Sequence, residues 1–243
     1  MIFVTALFLG SFYNVLAIRL LKKQSFVYPP SHCPQCQHRL APWDLVPLLS
    51  YLVLRGKCRY CQSPISPLYP AGELLTGLSL YLAYRHLGLQ LELLPAVILI
   101  SVLVLAVLTD LRKKLILDVI TLPALVLLLV LRLVIGEYSF WFYLAGGLTG
   151  FGLLLLISIV SRGGMGGGDI KLYALIGVVL GPSLTLLSLV LASFMGALVG
   201  GVMILLGRWQ RKETIPFAPF IFVGTFVAYF YGETVWVWYL QLW

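Results

Sequence analysis

Apolar runs about as long as a bilayer is thick recur along almost the whole chain, and they leave little choice of fold. A helix needs about 20 apolar residues to cross the hydrocarbon, and backbone inside it must satisfy its own hydrogen bonds. Eight stretches are candidates, near 1–21, 72–87, 92–109, 116–135, 140–160, 170–186, 184–207 and 216–236. The sixth and seventh meet around Gly181-Pro182, so the turn between them is short. With 60% hydrophobic and 11% charged residues, the expected architecture is an all-α polytopic membrane protein of about eight transmembrane helices.

The formal net charge of +8 raises the question of nucleic acid. The bases lie in short connections between apolar runs, not on one basic face, so nucleic-acid binding is not expected. They orient the chain instead. With the N-terminus outside, Lys22, Lys23, Arg39, Arg55, Lys57, Arg59, Arg112, Lys113, Lys114, Arg162, Lys171, Arg208, Arg211 and Lys212 all fall in the cytoplasm. Only Arg85 and Arg132 fall towards the outer side. Residues 1–21 lack a basic n-region and a small-x-small cleavage site, and read as an anchor helix. Trp236, Trp238, Tyr239 and Trp243 are expected to form an aromatic belt at the outer interface.

One hydrophilic insert, 22–71, separates the first helix, 1–21, from the remaining bundle, 72–243. It holds all four cysteines as two C-x-x-C pairs, Cys33-Pro34-Gln35-Cys36 and Cys58-Arg59-Tyr60-Cys61, with 21 residues between them. Two such knuckles can complete a tetrahedral zinc site with no open position, so the metal's role is structural. Two disulfides are the alternative, which a reducing cytoplasm disfavours. The insert's apolar anchors (Trp43, Leu45, Leu48, Leu49, Tyr51 and Leu54) are too few for an ordinary core, which a metal staple offsets. His32 and His38 flank the first knuckle and read as surface residues.

Nine acids remain to be explained. Glu92, Glu137 and Glu233 at outer ends and Glu213 in an inner loop read as solvated, and Asp44 belongs to the cysteine loop. That leaves Glu73, Asp110, Asp118 and Asp169. Asp110 ends one apolar run; Asp169, 59 positions later, opens another behind Gly163-Gly164-Met165-Gly166-Gly167-Gly168. A membrane acid is costly unless it is paired or used. Two carboxyls close together share a proton, so one can take a proton from water while the other donates to a scissile carbonyl. Gly164, Gly166 and Gly168 are expected to support that site by admitting φ > 0 and close backbone approach, with Lys171 as a local interface charge. Asp118 is expected to be the N-cap of a helix starting at Val119, with a functional role as the alternative. Three other readings stay open: a proton-relaying transporter, a scaffold whose acids only pair with bases, and, for Asp169, a simple capped helix start.

Several motifs together carry a resemblance. Gly10-Ser11-Phe12-Tyr13-Asn14-Val15 with Arg19, Ser31-His32-Cys33-Pro34-Gln35-Cys36, Pro47-Leu48-Leu49-Ser50, and Gly56-Lys57-Cys58-Arg59-Tyr60-Cys61 form its first half. Ile65-Ser66, Tyr69-Pro70, Glu73-Leu74-Leu75-Thr76-Gly77 and Gly164 to Leu172 complete it. Over nearly its whole length the chain resembles the type IV prepilin peptidases, one branch of the Gly-x-Gly-Asp membrane aspartyl proteases. The four-cysteine loop and first helix set it nearer the bacterial prepilin branch than archaeal preflagellin-type or presenilin-like proteases. Ile116-Leu117-Asp118 stands where that family usually has Leu-Pro-Asp.

The resemblance implies that Asp110 and Asp169 are the catalytic acids of a leader peptidase in the bacterial cytoplasmic membrane. Its substrates would be type IV prepilins or pseudopilins, cut after a leader glycine at the cytoplasmic face. It further implies N-methylation of the new N-terminus with S-adenosylmethionine, for which the zinc loop and Glu73 are the neighbourhood to suspect. In the first helix, Gly10, Ser11 and Ala17 read as packing residues and Asn14 as an interhelical hydrogen-bonder.

Overall fold

The computed structural model describes residues 1–25, 27–207 and 215–241. Arg208, Arg211, Lys212, Glu213 and Trp243 lie outside the described residues, as do the side chains of Trp236 and Tyr239. The helices are α1 (Ile2–Leu21), α2 (Leu49–Val53), α3 (Leu68–Leu87), α4 (Leu93–Lys113), α5 (Asp118–Ile135), α6 (Phe140–Val160), α7 (Gly167–Leu205) and α8 (Ala218–Leu240). A 3-10 turn at Pro42–Leu45 lies between α1 and α2. Among the described residues there is no strand, only two isolated bridges, His32 with Arg39 and Lys57 with Pro64.

Six of these helices, α1, α4, α5, α6, α7 and α8, are long and apolar enough to cross a membrane. At 39 residues, α7 would extend about 58 Å if straight, nearly twice the hydrocarbon thickness. It is not straight. Gly181 breaks it with φ 75° and ψ 176°, a conformation that suits glycine, and Pro182 keeps the preceding residue out of the helical region. Tyr173 and Thr185 would be about 18 Å apart on a straight helix, yet both line the space beside Gly150. The chain therefore turns back on itself at Gly181, as the expected short turn requires.

The chain forms two compact units, Met1–Gly88 and Leu89–Trp243. In the first, α1 packs on α3. A Cβ at Gly10 would meet Glu73 Cα at 2.8 Å, and one at Gly77 would meet Leu7 Cδ2 at 2.6 Å, so small residues set how closely the pair packs. Buried Asn14 donates to the Tyr69 carbonyl at 2.9 Å, the expected interhelical bond.

In the second unit α7 is the centre, packed against α4, α5, α6 and α8. A side chain at Gly146 would collide with the Gly177 carbonyl and one at Gly177 with that of Gly146, so α6 and α7 touch backbone to backbone. α4 is buried without interruption from Val102 to Asp110, as an all-round apolar helix should be. At the far ends of these helices Glu92 is not solvated as expected. It accepts from Arg132 at 2.7 Å and from the Tyr229 hydroxyl at 2.8 Å. Arg132 also donates to the Val179 carbonyl at 2.9 Å and lies over the Tyr143 ring.

Candidate active site and cysteine centre

Asp110 sits in the last turn of α4 and is 7% exposed. Its Oδ2 accepts the Ala218 N–H at 2.9 Å, the first amide of α8. Helix N-termini present free amides and partial positive charge, so α8 holds this carboxylate in place. Residues 215–217 before α8 have no regular secondary structure, and the Phe217 amide also reaches Asp110. Sequence reasoning missed this partner. Pro216 and Pro219 around Ala218 suit a helix start, but nothing local links it to an acid 108 residues earlier.

Asp169 is the third residue of α7, after the N-cap Gly166, and is half-buried. Its carboxylate reaches back to the Gly166 amide, the reciprocal geometry of an acid at N3. A side chain at Gly166 would sit 2.9 Å from Asp169 Oδ2. Asp110, from α4, and Asp169, from α7, lie within electrostatic reach of each other.

The glycine loop departs from expectation in its backbone. Gly163 has φ 89°, whereas Gly164, Gly166 and Gly168 are not in the left-handed region. What Gly168 requires is space: a Cβ there would lie 2.8 Å from Ile116 Cβ. Gly164 donates to Ser161 Oγ at 3.1 Å, which ties the loop to the end of α6. Asp118 does not cap α5. Leu117 is the N-cap, and Asp118 instead forms a 2.6 Å ion pair with Lys171.

The cysteines form a second centre, within the first unit. One ligand atom from each of Cys33, Cys36, Cys58 and Cys61 lies within 4.8 Å of the others, an arrangement able to hold a metal ion. All four are free thiols. The two knuckles repeat one turn: Cys33 N–H donates to His38 O and Gln37 N–H to Cys33 O, and Cys58 N–H to Ser63 O and Gln62 N–H to Cys58 O. Burial pushes the Cys33 thiol up, but the Cys36 and Gln35 amides, with Ser63 and Cys58, outweigh it and hold it at about 6. The His38 amide works to lower Cys36, yet burial and the neighbouring Cys61 and Cys33 sulfurs carry it up to about 11. His38 packs against Tyr60 with tilted rings whose centroids are 3.6 Å apart and His32 Nδ1 meets the Pro30 carbonyl, so both act outside the cluster.

Polar contacts organise the rest of the insert. Asp44 accepts from Arg59 Nε at 2.7 Å and from the Ala41 amide at 3.2 Å. Buried Glu73 accepts the Leu48 amide at 2.8 Å and is bonded by the Ser11 side chain, anchoring the loop to α3. Trp43, Leu45 and Leu49 are exposed, so the loop has no apolar core, as expected.

Residues 4–87 match the bacterial peptidase A24 N-terminal domain, and residues 97–201 match the type IV leader peptidase family. The chain is 39% identical over 241 residues to the prepilin leader peptidase/N-methyltransferase of Bacillus subtilis (strain 168), spanning 99% of this chain and 97% of that protein. Proteins of the same description from Aeromonas hydrophila and Pseudomonas aeruginosa are each 34% identical, spanning 99% and 97% of this chain and 93% and 91% of their own lengths. No solved structure matches the chain.

Proposed function

The chain belongs to the type IV leader peptidase family, and on that premise we propose that it cleaves the leader from prepilins or pseudopilins with Asp110 and Asp169 as its acids. The observation that carries this reading is that those two carboxylates, one on α4 and one on α7, lie within electrostatic reach of each other. In the mechanism, one carboxylate takes a proton from water as the water oxygen adds to the scissile carbonyl carbon. The other carboxyl gives its proton to the carbonyl oxygen. The roles exchange as the C–N bond breaks and the amine leaves protonated. The α8 amides hold Asp110 in place throughout, while open space beside Gly167 leaves room for substrate backbone.

The cysteine cluster suits structural zinc. A tetrahedron with Zn–S bonds of about 2.3 Å has S···S edges of about 3.8 Å, and Cys33 Sγ and Cys61 Sγ are 3.8 Å apart. Zinc there would staple the 22–71 loop and leave no coordination position for chemistry. Methylation of the new N-terminus follows the relatives' shared description. S-Adenosylmethionine would supply the methyl group, and Glu73 is the residue assigned to its neighbourhood. A carboxylate has acceptor capacity beyond the two bonds that Glu73 makes here, which suits the donor's hydroxyls. The proposed setting is the bacterial cytoplasmic membrane, with the N-terminus outside and the cysteine and aspartate loops in the cytoplasm.

Asp110→Asn and Asp169→Asn test the central assignment, because each keeps the side chain's shape and removes its acid–base function. Each is expected to abolish cleavage of a purified prepilin in reconstituted enzyme that remains inserted and folded. Substantial processing by either variant would overturn the two-acid mechanism.

A further inference from the structure

The connection between α4 and α5 is capped onto α4 at one end and meets the start of α7 at its middle and far end. At its first end the Lys114 amide, in the left-handed conformation, donates to the Asp110 carbonyl at 2.7 Å. In its middle, Ile116 lies against Gly168, the residue before Asp169. At its far end Asp118 Oδ2 meets Lys171 Nζ at 2.6 Å. These contacts join the peptide of one acid to the helical turn of the other.

We propose that Asp118 and Lys171 are a positioning pair that sets the separation of Asp110 and Asp169, an inference that rests on the two-acid reading above. Lys171 follows Asp169 by two residues on α7, about 200° around the helix, so the two side chains leave on different faces. Lys171 therefore acts through Asp118 and not on the reacting atoms. The pair is also exposed, at 39% and 52% of the two side chains, and exposed pairs contribute little to stability. Its value is geometric: a misplacement of about 1 Å in an active site can cost about a hundredfold in rate.

The test uses the full-length enzyme in liposomes with a purified prepilin. Asp118→Asn and Lys171→Met are each expected to lower kcat about tenfold or more while KM stays within about twofold and thermal unfolding is unchanged. The exchanged variant, Asp118→Lys with Lys171→Asp, is expected to recover most of kcat. Wild-type kcat in both single variants would overturn the proposal. So would an exchanged variant no better than the worse single one, since Lys171 or Asp118 would then act on substrate directly. Cleavage surviving Asp110→Asn or Asp169→Asn would instead defeat the underlying reading.

Discussion

At Gly168 the missing atom is the functional one. A Cβ would sit 2.8 Å from Ile116 Cβ and 3.3 Å from the Ile116 carbonyl oxygen, so valine must push the α4–α5 connection away from the first turn of α7. Such overpacking costs typically about 1–3 kcal/mol, and here the displacement falls next to Asp169. Gly168→Val is expected to cut the cleavage rate about tenfold or more with membrane insertion intact, and Ile116→Gly in the same chain, which removes the Cβ that the valine meets, should recover part of it. Wild-type prepilin cleavage by Gly168→Val would mean that the loop only links two helices. Both acids stand out in the sequence because a carboxylate at the end of an apolar run is a local signal wherever the chain folds, whereas the φ > 0 expected at Gly164, Gly166 and Gly168 is found instead at Gly163. Sequence reasoning misassigned Asp118 because N-cap reasoning weighs only the next few residues, and the partner lies 53 positions on at Lys171. Ala218, which holds Asp110, was illegible for the same reason.

At the scale of elements, the cysteine insert and the helix pairs differ in what specifies them. Two C-x-x-C pairs predict their own turn, and the structure repeats that turn with Gln37 and Gln62 at φ 59° and 60°. With Trp43 and Leu49 exposed, the cluster, the Asp44 contacts and the Glu73 anchor hold the loop. Metal removal should therefore act on this element first, because the free energy of structural metal binding is local folding free energy. One zinc per chain is expected by elemental analysis. Chelation or Cys58→Ser is expected to raise amide exchange in 31–65 roughly tenfold or more, with α4 to α8 unchanged. Metal absent from reduced, unchelated protein would contradict the zinc assignment. Helix pairing was less legible. Hydropathy marked α3 as a brief segment but did not say that it pairs with α1, because the fit of Gly10 against Glu73 and of Gly77 against Leu7 is a property of two surfaces. The two arms of α7 were legible from Gly181-Pro182, where glycine and proline chemistry combine.

Across the whole molecule, the distribution of bases sets the proposed orientation, and Arg132, with Arg85, runs against it. Glu92 neutralises Arg132 at 2.7 Å, so on the proposed orientation this pair adds no net charge to the outer side. The same pair joins α4 to α5, and through the Val179 carbonyl it holds the end of the first arm of α7, whose other end carries Asp169. Arg132 is 4% exposed. Removing one partner of a buried ion pair strands the other and costs about 3–5 kcal/mol, whereas replacing both by groups of similar volume is often neutral. Arg132→Met is therefore expected to destabilise the 89–243 unit by roughly 3 kcal/mol, seen as a lower temperature of thermal inactivation in detergent. Arg132→Met with Glu92→Gln should recover part of that loss. Metal content is expected to stay unchanged in both, because the cysteines belong to the other compact unit. Equal stability of Arg132→Met and the parent chain would show that the cluster neither braces the break in α7 nor holds the arm that presents Asp169.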